Sequence, residues 1–256
     1  MKDKKIVLLA GEWDTTPIVY NFLKDDFEVV QVIMEDPVPR KVFLKKRIKK
    51  LGFINVAGQV LFSLLIAKPM TKTSGSRISQ IKEQYKLKTT AIPKRILHKV
   101  NSVNDTTTIE LLRTIQPDLI IVHGTRIISK KVLAANTCYF VNIHAGITPR
   151  YRGSHGAYWA LANNDAAHCG VTVHLVDAGI DTGNILAQVA IPYTKKDNFV
   201  TYPYLQLAEG LIALKEVIKK MEVKERPVIK NNLDSALWHH PTLWGYLWKR
   251  LTKGVK

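Results

Sequence analysis

Asn142 and His144 stand two residues apart at the end of an apolar run, CYFVNIH, residues 138–144. Residues i and i+2 of a β-strand point to the same side. An amide donor and an imidazole facing one spot can hold the oxyanion that develops on a carbonyl under attack. Asp181, in the loop AGIDTG that follows a later apolar run, could orient and charge that imidazole or accept a proton. No activated Ser or Cys accompanies the three. That favours direct transfer between two bound substrates over a covalent enzyme intermediate. A satisfied structural pair at a strand end would read the same way, so the trio alone does not decide.

The elements around it must place these groups together. KIVLLA (5–10), EVVQVIM (28–34), DLIIVHG (118–124), CYFVNIH (138–144), GVTVHLVD (170–177) and NILAQVAI (184–191) read as strands, because short apolar runs bounded by turn residues suit buried strands. A helix over PIVYNFLKD follows the first, with Pro17 in its first turn. A short strand is expected at TTAIP (89–93), and Thr107 with Glu110 forms a capping-box pattern ahead of a helix ending by Gln116-Pro117. SKKVLAA and GAYWALAN read as short helices, and YPYLQLAEGLIALKEVIKKM as a long one. The alternation predicts an α/β fold: a Rossmann-like, mostly parallel sheet with helices on both faces. Residues 1–195 would form the main domain and 196–256 a helical C-terminal extension. In such sheets ligands bind beyond the carboxyl ends of the strands, where His123-Gly124-Thr125-Arg126, Asn142-Ile143-His144 and Asp177 to Asp181 fall. No GxGxxG follows the first strand, so the dinucleotide reading lacks its phosphate loop.

Residues 40–88 break the pattern as a basic helical insertion, with TKTSGSR (71–77) expected as a flexible loop. The net charge of +17 is concentrated here: Val38 to Asn101 holds sixteen Lys or Arg against one acid, Glu83. So local a field points to an anionic partner, such as a nucleotide diphosphate, lipid headgroups or nucleic acid, or else to a solvated face. KKRIKK beside an uncharged stretch, and Trp244 and Trp248 one helical turn apart, are expected as core or homodimer helices. Peripheral contact with an anionic membrane is the alternative, and nucleic acid ranks behind it. The longest uncharged run, Leu51 to Ala67, falls short of the roughly 20 residues of a membrane span. The start, MKDKKIVLLAGEWD, reads as strand and loop rather than a signal peptide. Cys138 and Cys169 suit reduced, buried thiols of a cytoplasmic protein.

The combination NIHAGITPRYRGSHGAYWAL and GVTVHLVDAGIDTGNIL resembles the folate-dependent formyltransferases. That family includes glycinamide ribonucleotide transformylase, methionyl-tRNA formyltransferase and the sugar N-formyltransferases. The resemblance rests on Asn142-x-His144, Pro149, Tyr151-Arg152-Gly153 and Asp181-Thr182-Gly183. It is dense from Pro117 to Pro192, fainter over the first two strands, and absent from Arg40 to about Lys88 and from the tail. It implies transfer of the formyl group of 10-formyltetrahydrofolate to a small-molecule amine, with Asn142, His144 and Asp181 as the catalytic trio and no metal. It also implies a pterin site on the backbone of Arg126, Ile127 and Ile128, closed by Val176, Asp177 and Ile180. Tyr151 and Arg152 would face the acceptor. His174 would point into the site or serve as a core histidine. AGEWDTTP stands where the purine enzymes carry a Gly-Ser-Asn phosphate loop, and the residues after Pro192 read as helices rather than the extra β-barrel of the methionyl-tRNA enzymes. The sugar enzymes, acting on amino sugars linked to nucleotide diphosphates, are therefore the expected nearest kin. Glycinamide ribonucleotide, a hydroxyornithine-like amino acid, a lipid-linked amino sugar, or a binding protein on a degenerate fold remain the alternatives.

Overall fold

The computed structural model describes residues 4–222 and 228–256. The chain opens with β1 (Lys5–Gly11), α1 (Thr16–Asp26) and β2 (Glu28–Glu35), then runs through helices α2 (Arg40–Leu51), α3 (Phe53–Phe62), α4 (Lys68–Thr73) and α5 (Gly75–Gln84). It returns to alternation with β3 (Leu97–Val100), α6 (Thr106–Ile115), β4 (Leu119–His123), α7 (Lys130–Ala134) and β5 (Tyr139–His144). The remainder is β6 (Arg152–Gly153), α8 (Gly156–Ala162), β7 (Gly170–Leu175), β8 (Ile185–Ala190), α9 (Tyr202–Glu222), β9 (Leu237–Trp238) and α10 (Leu243–Lys253).

Seven strands form one sheet in the order β3-β2-β1-β4-β5-β7-β8. The first five pair in parallel, β7 runs antiparallel to β5, and β8 antiparallel to β7. The side chains of β1 alternate between two cores. Ile6, Leu8 and Ala10 pack with Ile18 and Leu23 of α1 and Leu211 and Leu214 of α9. Val7 and Leu9 pack with Leu112 of α6 and Val132 of α7. The sheet is therefore covered on both faces, which is why its central strands read as unbroken apolar runs. Gly210 lets α9 lie close on the sheet: a Cβ there would come within 2.5 Å of Ile143. A third core joins Phe62, Ile81, Tyr158, Phe199 and Tyr246, so the 40–88 insertion and α10 pack together on the end of the domain.

Several sequence expectations are corrected. The third strand is Leu97–Val100, not 89–93, and lies at the sheet edge. Residues 71–77 are helical on both sides of Ser74: Arg77 forks onto Asp197 at 2.8 and 2.9 Å and Asn198 donates to Ser74 at 2.9 Å, anchoring what the composition marked as a loop. The α6 N-cap is Asp105, with Thr107 inside the helix. The tail is not helical throughout, since Leu237–Trp238 pairs in parallel with Arg152–Gly153. Through a π-helical turn at Ser63–Ala67, α3 and α4 form one helix, Phe53–Thr73, with an 18-residue stretch of mean hydropathy 1.5. Its 21 residues are long and apolar enough to cross a membrane by length and composition. The uncharged run looked too short because Lys68 and Lys72 interrupt it.

Candidate active site

Strand register brings the polar groups together. In the β5–β7 ladder Asn142 lies opposite His174 and His144 opposite Thr172. Directly opposed residues share a face, and Asn142 Nδ2 donates to His174 Nε2 at 3.2 Å. His174 Nδ1 lies 2.7 Å from the Leu175 carbonyl, which can only accept. A neutral His174 ring therefore carries its proton on Nδ1 and offers Nε2 to the amide. Asn142 keeps a second N–H to donate.

His144 is enclosed, 5% exposed, and both ring nitrogens face acceptors. Nε2 lies 2.7 Å from the Tyr151 carbonyl, and Nδ1 lies 3.3 Å from Asp181 Oδ2. A neutral imidazole can donate to only one of them; a ring protonated on both nitrogens would satisfy both. Burial pushes His144 below its ordinary value, against the opposing pull of the Asp181 charge and the Tyr151 carbonyl. For Asp181, burial alone would raise the carboxyl. The neighbouring His174 and His144 rings and the Gly153 amide outweigh it and hold Asp181 below the usual range. Asp181 Oδ2 accepts from Gly153 N at 2.9 Å, and Oδ1 lies 3.7 Å from His174 Nε2. One carboxylate thus touches both imidazoles.

The loop that delivers Asp181 is built locally. Asp177 Oδ1 accepts from Gly179 N at 2.9 Å and from Thr182 Oγ1 at 2.7 Å. Arg152 donates to the Ile180 carbonyl at 3.1 Å. Asp181 itself sits at φ 51°, a left-handed conformation uncommon for a residue with a Cβ but better tolerated by Asp.

Asn142, His144, His174 and Asp181 line one cavity of about 300 Å³ beyond the carboxyl ends of β4 and β5. Arg126, Ile127, Ile128, Val176, Asp177 and Ile180 line it as well, so two separate stretches of sequence meet across a single slot. The backbone N–H and C=O of Ile128 have no hydrogen-bond partner among the described residues. Val122, Val176 and Ile180 supply apolar wall. An apolar slot with a free donor–acceptor pair at its base fits a flat heterocycle with a matching edge. Among the described residues, no cluster of three His, Cys, Asp or Glu could hold a metal ion.

Two residues expected to face the acceptor meet structural partners instead of lining this cavity. Tyr151 is 2% exposed and off this cavity; its hydroxyl donates to Asp165 at 2.8 Å and its ring stacks on Trp238. Only its carbonyl serves the site, through His144. Arg152 also lies off the cavity, tying down the Ile180 carbonyl. Arg126 lines it, but its guanidinium is committed to Glu35, the Asn101 carbonyl and the Asp36 carbonyl at 3.1, 2.7 and 2.8 Å. Glu35 and Asn104 were not anticipated. Glu35 accepts from the Arg126 amide, while Asn104 donates to the Ile127 carbonyl and accepts from Ser129 N, bracing the loop from two distant segments.

A second cleft of about 530 Å³ shares Gly124, Thr125 and Arg126 with the first, and is bounded by Trp13, Asp36, Arg40 and Phe43. Trp13 Nε1 donates to the Gly124 carbonyl at 2.7 Å, fixing the wall between the two.

Residues 65–217 match the family model described as Formyl transferase, well over half of the chain. The chain belongs to the formyl transferase family. The match begins inside the segment from Arg40 to Lys88 where the motifs showed no resemblance. A methionyl-tRNA formyltransferase from Trichodesmium erythraeum (strain IMS101) is 33% identical over 127 residues, 49% of this chain and 38% of that protein. This chain thus spans well under half of the length of that curated relative. The phosphoribosylglycinamide formyltransferase of Streptococcus pneumoniae TIGR4 superposes with a TM-score of 0.54 at 22% identity, over 86% of this chain and 99% of the other. A sugar N-formyltransferase from Shewanella sp FDAARGOS_354 gives 0.53 at 15% identity, over 91% and 76%. These two likenesses are of fold.

Proposed function

We propose that the chain moves the formyl group of 10-formyltetrahydrofolate to a primary amine. The observation that carries this reading is the convergence of Asn142, His144 and Asp181 on one cavity whose far wall offers the unpaired backbone of Ile128. The backbone of Ile128 and the walls at Val176 and Ile180 would grip the pterin; the folate supplies the formyl group. Asn142 would donate its free N–H to the oxyanion formed as the amine attacks the formyl carbon. His144, lining the same cavity, would stabilise the same charge when protonated, with Asp181 supporting the cation. Asp181 would then take the surplus proton from the attacking nitrogen. That proton is returned to the departing folate nitrogen as its bond to the formyl carbon breaks, so no covalent enzyme intermediate is needed.

The second cleft is the proposed seat of the acceptor, since it opens onto the first across Gly124 and Thr125. Asp36 and Glu12 at its rim suit an amine that arrives as an ammonium and sheds its proton inside. An amino sugar on a nucleotide diphosphate would place its phosphates toward Arg40, the lining cation not already committed to Glu35. The test is a panel of amines incubated with 10-formyltetrahydrofolate: nucleotide-linked amino sugars, glycinamide ribonucleotide, methionyl-tRNA, hydroxyornithine and a lipid-linked amino sugar. A gain of one formyl group by mass, matched by tetrahydrofolate release, identifies the acceptor. A protein that binds no reduced folate would overturn the reading.

A further inference from the structure

The basic insertion and α10 build a surface that the chemistry above does not use. The helix Phe53–Thr73 buries Val56, Gln59 and Phe62, at 3, 7 and 0% exposure, with Phe62 in the third core and Gln59 donating to the His240 carbonyl. Its other side leaves Phe53, Ile54, Leu61 and Leu65 open, between 41 and 72% exposed. Beside it, α10 turns Tyr246 inward and exposes Trp244, Leu247, Trp248 and Leu251, an i, i+3, i+4, i+7 stripe reaching 84% exposure at Leu251. The Trp244 ring lies on Gly58, where a Cβ would come within 2.3 Å of it. That contact sets the two helices side by side. The third member, α2, buries nothing. Lys41, Lys45, Lys46, Lys49 and Lys50 stand exposed on it with no ion-pair partner among the described residues.

A monomer in water rarely keeps so many aromatic and aliphatic side chains open in one region. We propose that this surface docks on an anionic lipid bilayer, with the apolar side chains entering the headgroup boundary and the α2 lysines against the lipid phosphates. Three features select that occupant. Tryptophan with leucine beside clustered lysine is the composition of interfacial helices. A second copy would bring two lysine collars together, and the sixteen-to-one cation excess of residues 38–101 opposes a self-complementary contact. A nucleic acid would use the lysines and leave Leu61, Leu65, Leu247 and Leu251 without a role. Although Phe53–Thr73 is long enough to span, spanning would pull Phe62 from its ring contacts with Phe199 and Tyr246, both at 4.8 Å. The helix therefore lies along the surface. Docking also has a geometric consequence, because Arg40 and Phe43 of the same α2 form a wall of the second cleft.

Docking does not depend on formyl transfer, so it is tested without folate. Purified protein is sedimented with phosphatidylcholine vesicles and with vesicles of phosphatidylcholine and phosphatidylglycerol, over a range of salt. The wild type should partition onto the mixed vesicles and be released by salt, with its tryptophan fluorescence quenched by brominated lipid. W248S/L251S and K45E/K46E/K49E should each bind more than tenfold more weakly, with unchanged circular dichroism. Wild-type protein that stays in the supernatant with both vesicle types overturns the proposal, whatever the variants do. So does a concentration-dependent dimer that W248S/L251S abolishes, or RNA binding that displaces the protein from the vesicles.

Discussion

Asp181→Asn removes a charge and keeps a shape. The amide can still accept from the Gly153 N–H, now at 2.9 Å, so the loop stays closed. What disappears is the carboxylate's attraction for the cationic form of His144, whose Nδ1 lies 3.3 Å away. At an effective dielectric of about 20 that attraction is about 5 kcal/mol. His144 already lies below its ordinary pKa through burial, with Asp181 the first contribution raising it; the substitution pushes it further down and makes the cationic ring harder to form. If half of that energy is expressed in the transition state, turnover falls by about 10²-fold, before counting the lost proton acceptor. The assay is tetrahydrofolate release with the acceptor found in the panel, together with ¹⁵N spectra of the ring. Titrated through the ring resonances, His144 should pick up its second proton at a lower pH in the variant than in the wild type. Turnover within threefold of wild type, or an unchanged ring spectrum, would refute the coupling of Asp181 to His144.

Asn142→Ala should cost about 10²- to 10³-fold in turnover while reduced-folate binding, read by fluorescence titration, stays near wild type. Tyr151→Phe should lower stability by about 1–2 kcal/mol through loss of the hydrogen bond to Asp165 and leave turnover unchanged, because only the Tyr151 carbonyl meets His144; denaturant melts and rates check the two halves. Arg77→Ala should cost about 3 kcal/mol by leaving the enclosed Asp197 carboxylate without its cation, read as a shift in urea midpoint. Burial holds His155 at about 3 and His240 at about 4, against 6.5 for each when unfolded. The unfolded chain therefore binds more protons between those values. Stability should rise with pH from about 4 to 6.5, by up to about 2.7 kcal/mol per pH unit for the two groups, and flatten above; a melting temperature flat across that window would contradict it.

The central strands were legible because burial on both faces leaves them uniformly apolar, as in KIVLLA and DLIIVHG. The edge strand was not. LHKV is half buried and carries no such run, while the β-branched TTAIP looks more like a strand than it is. The helices over 71–77 depend on Arg77 meeting Asp197, 120 residues away, and no local pattern can announce that. At the site, Asn142 and His144 could be put on one side from spacing because strand alternation fixes where a side chain points, whereas Asp181 lies in a loop and its approach to His144 shows only in the fold. Arg126, Tyr151 and Arg152 lie at the strand ends or in loops, where alternation no longer applies, and each turned toward a structural partner. Glu35 and Asn104 reach the 126–129 loop across the fold, so only coordinates reveal them.

The short β6–β9 ladder has a consequence for how the protein is made. Arg152 N donates to the Ala236 carbonyl and Ser154 N to the Trp238 carbonyl, at 3.1 and 3.0 Å. Between them lie the Gly153 amide that grips Asp181 and, one residue earlier, the Tyr151 carbonyl that grips His144. A nascent chain that has emerged only to residue 230 holds all the reactive groups but lacks the strand that clips their loop in place. Competence therefore waits on residues 236–238, and a chain cut before Ala236 should lose the clip while keeping the residues of most of its sheet.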